Sequence, residues 1–248
     1  MSRPAVLITG VGRPEGIGAG IAERLAADGW DVAFGYWAAY DARVHGALSD
    51  ETAAVQRRLE QLGARVFRRN SDLADPATAS ALVSEARDAL GPLSALVLSH
   101  TESVDSSILD TTLESFDRHF AVNVRASWQL IAEFARQIPE SGGRIVALTS
   151  DHVVHNLPYG ASKGALDRIV LAAARELGHL GISSNVVNPG PIDTGWMTDE
   201  VRRSALDRQP TGRLGTPADT ANLVAFLLSE RGAWINGQLI KSDGGFSA

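Results

Sequence analysis

The sequence predicts an α/β protein, a single Rossmann-like, doubly wound domain of about seven parallel strands flanked by helices. Short β-branched or apolar runs alternate with longer segments of helical period along the whole chain. Several of those runs are continuously apolar, as strands covered on both faces are. The first run opens directly into a cluster of glycines, which suits a tight strand-to-helix turn.

Strands are expected at AVLIT (5–9), DVAFGYW (31–37), ARVFRR (64–69), SALVLS (94–99), RIVALTS (144–150), SSNVVN (183–188) and GQLIKS (237–242). Helices are expected within residues 16–29, 77–91, 115–138, 159–181 and 217–232, where apolar residues recur at three- and four-residue spacing. Gly29, Gly91 and Gly181 close three of these segments, where a left-handed backbone often ends a helix. Strands interleaved with helices imply right-handed crossovers and a mostly parallel sheet. No linker, repeat or low-complexity tract divides the chain, so residues 1–248 read as one domain.

With 248 residues, 44% of them hydrophobic, the chain can bury a sizeable core. A net charge of −6 disfavours nucleic acid or an anionic membrane as the main partner, since both select basic faces. The lack of cysteine excludes disulfides and thiolate-bound metal, and is compatible with a reducing cytoplasm. The apolar start is too short for a signal peptide, and no apolar run reaches the roughly 18 residues of a membrane span. A soluble, cytoplasmic protein without bound metal is expected.

Glycines at 10, 12, 16, 18 and 20 bridge the first strand and helix. Such a turn lets backbone amides approach a pyrophosphate, and the helix N-terminus adds positive potential there. In dinucleotide folds a carboxylate at the end of the second strand grips the adenosine ribose diol. Here that end reads Gly35-Tyr36-Trp37-Ala38, with Asp31 too early and Asp41 too late. Arg13, inside the glycine turn, can instead meet a 2′-phosphate, which favours NADP(H) over NAD(H); the alternative is a solvated surface charge. Asp72 is placed either to bond an adenine amino group or, like Asp75, to cap the helix starting near Pro76.

Taken in order, the glycine turn, SDLAD (71–75), AVNVRA (121–126), LTS…YGASK (148–163) and NPGPIDT (188–194) resemble the short-chain dehydrogenase/reductase family, over essentially the whole chain. Asn123, Ser150, Tyr159 and Lys163 match that family's catalytic tetrad. Tyr159 and Lys163 lie one helical turn apart and share a face. A protonated lysine beside a phenol favours the phenolate, bringing its pKa from about 10 toward working pH. Tyr159 could then give a proton to a carbonyl oxygen or take one from an alcohol.

The resemblance implies that Ser150 orients the substrate oxygen, that Lys163 reaches the nicotinamide ribose, and that Asn123 holds a water between the lysine and solvent. It places Gly10, Gly12, Arg13, Gly16, Ile17, Gly18, Asp72 and Leu73 along the nucleotide. Pro189, Ile192 and Thr194 would lie against the nicotinamide carboxamide. The implied activity is NAD(P)-dependent interconversion of a ketone and a secondary alcohol, on small carbonyl substrates such as the 3-oxoacyl type. Residues 191–216 would cover the substrate, with Trp196 and Met197 lining an apolar pocket or pinning that segment down. Helices bearing Asn123 and Tyr159 form the interface of family homotetramers, so a homo-oligomer is expected, and Trp128 suits such a surface.

Three departures from the family pattern stand out. Five residues separate Gly10 from Gly16, a longer turn than usual, as in the enoyl reductase branch. At that branch's wider tyrosine–lysine spacing, however, position 156 is asparagine, which disfavours enoyl reduction. The fourth strand normally ends in N-N-A-G but here reads Leu98-Ser99-His100-Thr101, so His100 either contacts substrate or makes a structural hydrogen bond. Only eight residues separate Ser150 from Tyr159, fewer than usual, which brings Asp151, His152, His155 and Asn156 near the reacting centre. His152 is thereby a candidate substrate contact. A cofactor-binding regulatory or scaffold protein without turnover is the alternative that the altered 98–101 segment suggests.

Overall fold

The five residues of Ala5–Thr9 form β1, a strand buried along its whole length, as its unbroken apolar run requires when helices cover both faces. Successive side chains point to opposite faces. Leu7 therefore joins one core with Leu96, Ile145, Leu82, Phe134 and Val170. Val6 and Ile8 join the other with Val97, Val146, Leu25, Leu59 and Val224. The computed structural model describes residues 3–46, 51–195 and 197–248.

The remaining strands are Asp31–Tyr36 (β2), Val66–Asn70 (β3), Leu93–Leu98 (β4), Gly143–Leu148 (β5), Ile182–Asn188 (β6) and Leu239–Lys241 (β7). All seven pair in parallel in the order β3-β2-β1-β4-β5-β6-β7. Every expected strand is present, within a few residues of its expected bounds. The order reverses between β1 and β4, and a crevice opens there beyond the carboxyl ends of the strands.

The helices are Ile17–Ala27 (α1), Ala38–His45 (α2), Glu51–Gln61 (α3), Thr78–Leu90 (α4), Leu113–His119 (α5), Ala126–Arg136 (α6), Leu157–Glu176 (α7), Asp199–Arg208 (α8) and Pro217–Leu228 (α9). Pro217 starts α9 at a position where its missing N–H costs nothing, and Thr216 with Asp219 forms a capping box. The single helix expected over 115–138 is in fact three segments. Between α5 and α6, Phe120–Arg125 winds as a π-helix, a form that concentrates at functional sites. The helices α2, α3 and α8 were not expected: α8 buries no side chain, and α3 buries only Thr52, Val55 and Leu59. No helix among the described residues is long and apolar enough to cross a membrane.

Candidate active site

A cavity of about 1090 Å³ fills the crevice, large enough for a dinucleotide and a small substrate together. One end is built on the turn after β1. Gly10 has φ 78°, and a Cβ there would lie 2.7 Å from the backbone of His100, so only glycine lets the chains leaving β1 and β4 pass this closely. A Cβ at Gly18 would lie 2.7 Å from the Gly10 carbonyl oxygen, which keeps α1 tight on the turn. Gly16, the N-cap of α1, brings no capping side chain. A helix N-terminus facing a cradle that admits no Cβ fits a pyrophosphate. Gly10, Gly12, Arg13, Gly16, Ile17, Gly18, Asp72 and Leu73 all line this end, and Pro189, Ile192 and Thr194 line the cavity from the loop after β6.

Arg13 donates to the main-chain oxygen of Thr194 at 3.2 Å, tying the glycine turn to that loop. Asp41 is not too late in sequence to matter: α2 folds it back into the cavity, with its carboxylate packed against Gly12. Burial raises its pKa and the Arg13 cation opposes the rise. Asp72 accepts from Ala74 N–H at 2.9 Å and from Arg118 at 3.1 Å. Asp75 accepts from Ala77 N–H at 2.9 Å. Neither caps α4, whose N-cap is Ala77; each carboxylate instead closes a local turn.

The altered segment after β4 proves to be a structural joint. His100 is 7% exposed, and its Nε2 lies 3.0 Å from the Val122 carbonyl, an acceptor only, so Nε2 carries the proton. Nδ1 therefore accepts from the Thr9 hydroxyl at 2.6 Å. With both ring nitrogens engaged by protein, and burial pulling its pKa to about 3, His100 has no polar atom left for a substrate. Of the two readings of His100, the structural hydrogen bond is the one its ring makes, and the residue also lines the cavity. Next to it sits a carboxylate that sequence reasoning missed. Glu102 is 2% exposed and is held by Arg43 and by Arg118, whose Nε donates at 3.1 Å. The Arg118 guanidinium stacks 4.3 Å from the Trp37 ring centroid, joining α5 to the end of β2.

Ser150, Tyr159 and Lys163 line the same cavity from the end of β5 and the first turns of α7. Lys163 is 3% exposed; its Nζ donates to the Leu148 carbonyl at 2.9 Å and lies 5.7 Å from the Tyr159 ring centroid. Burial lowers its pKa to about 8 against the opposing charge of Asp167. The expected lowering of the Tyr159 pKa is not found. Desolvation raises it, hydrogen bonding with Ser150 opposes the rise, and the Asp151 charge adds to it. Asn123 lies in the π-helical segment behind the cavity wall rather than on it. Its Nδ2 donates to the Glu102 carbonyl at 2.9 Å and to Ser162 Oγ at 2.8 Å, and its Oδ1 accepts from Glu102 N–H at 2.7 Å. Both amide hydrogens are engaged by protein, so Asn123 fixes the chain behind Lys163.

The other end of the cavity mixes apolar and polar side chains. Val153 and Val154 face it from the loop after β5; Met197, Val201 and Ala205 face it from the segment bearing α8. Arg208 stacks 4.2 Å from the Phe246 ring centroid at the same end. His152 lines the cavity with an exposed ring, while its backbone N–H donates to Ser150 Oγ at 3.2 Å. Trp196 lies outside the described residues. Among the described residues, no group of His, Asp and Glu side chains is arranged to hold a metal ion.

A dinucleotide cradle joined to a serine, a tyrosine and a buried lysine on one parallel sheet defines a cofactor-dependent oxidoreductase. Comparison with known proteins agrees. Residues 10–247 match the family model described as enoyl-(acyl carrier protein) reductase. The chain is 36% identical over 250 residues to an uncharacterized oxidoreductase, YjdA, of Bacillus subtilis, covering 97% of this chain and 95% of that protein. It superposes with a TM-score of 0.89 and 36% identity on a short-chain dehydrogenase from Burkholderia cenocepacia solved in complex with NADP, covering 100% and 99% of the two chains. A blue fluorescent protein from a metagenomic library, solved with NADPH, gives a TM-score of 0.88 at 34% identity over 99% and 98% of the chains. The chain belongs to the short-chain dehydrogenase/reductase family, and its site is that of an oxidoreductase using a nicotinamide cofactor.

Proposed function

We propose that the protein interconverts a ketone and a secondary alcohol, with NADP(H) as the preferred cofactor and Tyr159 as the acid/base. The observation that carries this reading is the convergence of Ser150, Tyr159 and Lys163 on one cavity whose far end is the glycine cradle. A bound nicotinamide supplies or accepts the hydride. Ser150 and Tyr159 meet the substrate oxygen, and the phenol delivers the proton to it during reduction. Because burial holds the phenol above its ordinary pKa, Tyr159 is protonated at neutral pH, as a donor must be. Lys163, cationic below about pH 8, sits beside the ring and stabilises the phenolate left behind. The four-residue Tyr159–Lys163 spacing supports carbonyl rather than enoyl reduction.

The NADP(H) preference is supported by Arg13 at the cavity wall and by structural relatives solved with NADP or NADPH. Asp41 supports the opposite preference, because a carboxylate beside Gly12 repels a 2′-phosphate and suits a ribose diol. Fluorescence titration with NADPH and NADH decides between them. Tighter NADPH binding that Arg13→Ala weakens about tenfold more than NADH binding supports Arg13 as the reader of the phosphate. Tighter NADH binding lost in Asp41→Ala assigns the diol to Asp41. Exposed Trp128 on α6 supports a homo-oligomer, which sedimentation tests.

A further inference from the structure

Among the described residues, the lysine and arginine side chains on the cavity wall are Arg13, Lys163 and Arg208. Two of them are engaged by backbone: Arg13 donates to the Thr194 carbonyl at 3.2 Å, and Lys163 to the Leu148 carbonyl at 2.9 Å. The Arg208 guanidinium, among the described residues, forms no hydrogen bond and no ion pair; its partner is the Phe246 ring, 4.2 Å away. That ring is itself held in place. Gln209, 6% exposed, donates to the Asp243 carbonyl at 2.9 Å, which ties the end of α8 to the turn bearing Phe246. The Asp243 carboxylate closes that turn, accepting from Gly245 N–H at 3.0 Å and Ser247 N–H at 3.1 Å. A guanidinium stacked on an aromatic face keeps its N–H rim free, and that rim matches a carboxylate with two parallel hydrogen bonds.

The acidic groups of the cavity do not neutralise this cation. Asp41 faces Arg13, while Asp72 and Glu102 hold Arg118. Asp151 pairs with Lys241 at 3.7 Å, and Asp243 is satisfied within its own turn. Glu200 shares a face of α8 with Arg208 but lies two turns earlier, about 12 Å along the axis at 1.5 Å per residue. It sits in the first turn of α8, where the helix dipole favours an anion. The place of Arg208 points to the substrate rather than the nucleotide. Helix α8 follows β6 and Phe246 follows β7, across the sheet from β2, beside which the glycine cradle lies. We infer that Arg208 is a specificity-determining residue that binds a carboxylate of the substrate, so that the site takes oxo acids, or the matching hydroxy acids, over neutral ketones and alcohols. The inference rests on the carbonyl-reducing reading above.

The test uses straight-chain methyl-ketone carboxylic acids of increasing length, each against its own methyl ester, which keeps the shape and removes the charge. Reduction is followed by NADPH oxidation. Binding to the protein–NADP⁺ complex is followed by calorimetry, which needs no turnover. At the best-fitting length the wild type should favour the acid over its ester by about tenfold or more, as a charge-assisted hydrogen-bonded pair would give. In Arg208→Gln that ratio should fall to near one, the acid losing far more than the ester, with NADPH affinity and melting temperature retained because the side chain is exposed. Arg208→Lys should keep part of the preference, since the charge remains while the planar fork is lost. The inference is overturned if the wild type treats acid and ester alike at every length or binds neither, or if Arg208→Gln keeps the ratio. It is also overturned if that variant weakens acid and ester equally, the pattern of a structural residue, or if it weakens NADPH instead. If the wild type reduces neither acid nor ester, the carbonyl reading fails, and the calorimetric ratio still decides the role of Arg208.

Discussion

The nucleotide end of the cleft is walled by strand ends and by glycines whose missing Cβ atoms leave room for neighbouring backbone or, at Gly12, for the Asp41 carboxylate, whereas the other end is walled by residues 150–156 and by α8, which buries no side chain. At the first end Thr9, His100, Val122 and Ser127 interlock through hydrogen bonds under full burial. At the second, Val153 and Val154 are mostly exposed and His155 holds φ 59°, the one positive value outside glycine among the described residues. The contrast teaches that cofactor recognition here is a property of the core, while substrate recognition is carried by surface elements that can change without unfolding it. The proposed acid/base, Tyr159, sits at the seam, on α7.

The largest effect should come from that seam. Tyr159→Phe removes the proposed proton donor and its hydrogen bond with Ser150, so kcat should fall about 10³-fold while NADPH affinity stays within about twofold. Retained turnover would remove Tyr159 from the mechanism. Loss of cofactor binding would show that the seam belongs to the nucleotide end.

His100→Ala should then cost about 2–4 kcal/mol, since it opens a buried cavity and removes the ring's hydrogen bonds with the Thr9 hydroxyl and the Val122 carbonyl. Urea denaturation measures it. The sign with pH follows from the lowered pKa. Between about 3 and the ordinary 6.5 the unfolded chain takes up a proton that the folded chain refuses. Stability is therefore intact above 6.5 and is lost as pH falls, by up to about 1.4 kcal/mol per pH unit. The variant should show a shallower acid slope; an unchanged slope would place the acid sensitivity elsewhere.

Lys163 should set the alkaline limb of reduction. Its ammonium is lost above about pH 8, so kcat/KM should decline through that region, by tenfold per pH unit well above it. Tyr159, held above its ordinary pKa, remains protonated there. Lys163→Arg, permanently cationic, should be slower but should push the limb to higher pH. A limb that stays in place would belong to another group.

The same contrast explains what the sequence made legible. Apolar runs report burial directly, so the strands and the cores of α1, α4, α6, α7 and α9 could be read. The glycine turn and the Tyr159–Lys163 spacing could be read because a tight turn and one helical turn leave few geometries. Helices α2 and α8 could not, because polar surface helices carry little apolar period, and with α2 went the return of Asp41 to the cavity. The direction of the His100 ring was open because it depends on how closely the chain leaving β4 passes Gly10. The raised Tyr159 pKa was missed because i,i+4 spacing reports proximity to Lys163 but not desolvation. Glu102 left no pattern, because its burial depends on Arg43 and Arg118, distant in sequence.

The smallest effect should be the most discriminating. Gly160 follows Tyr159 in α7, and a Cβ there would overlap the main-chain oxygen of His152, so the short loop lies down on the helix only because that side chain is absent. Gly160→Ala gains up to about 1 kcal/mol of helix propensity and must displace the loop carrying His152 and Val153. Because that loop is exposed, its displacement costs little, and net stability should change by less than about 1 kcal/mol. The KM for substrate should rise several-fold, with NADPH affinity unchanged, as steady-state kinetics and a cofactor titration would show. Weakened NADPH binding would mean that the loop braces both ends of the cleft, and that the two ends are not independent.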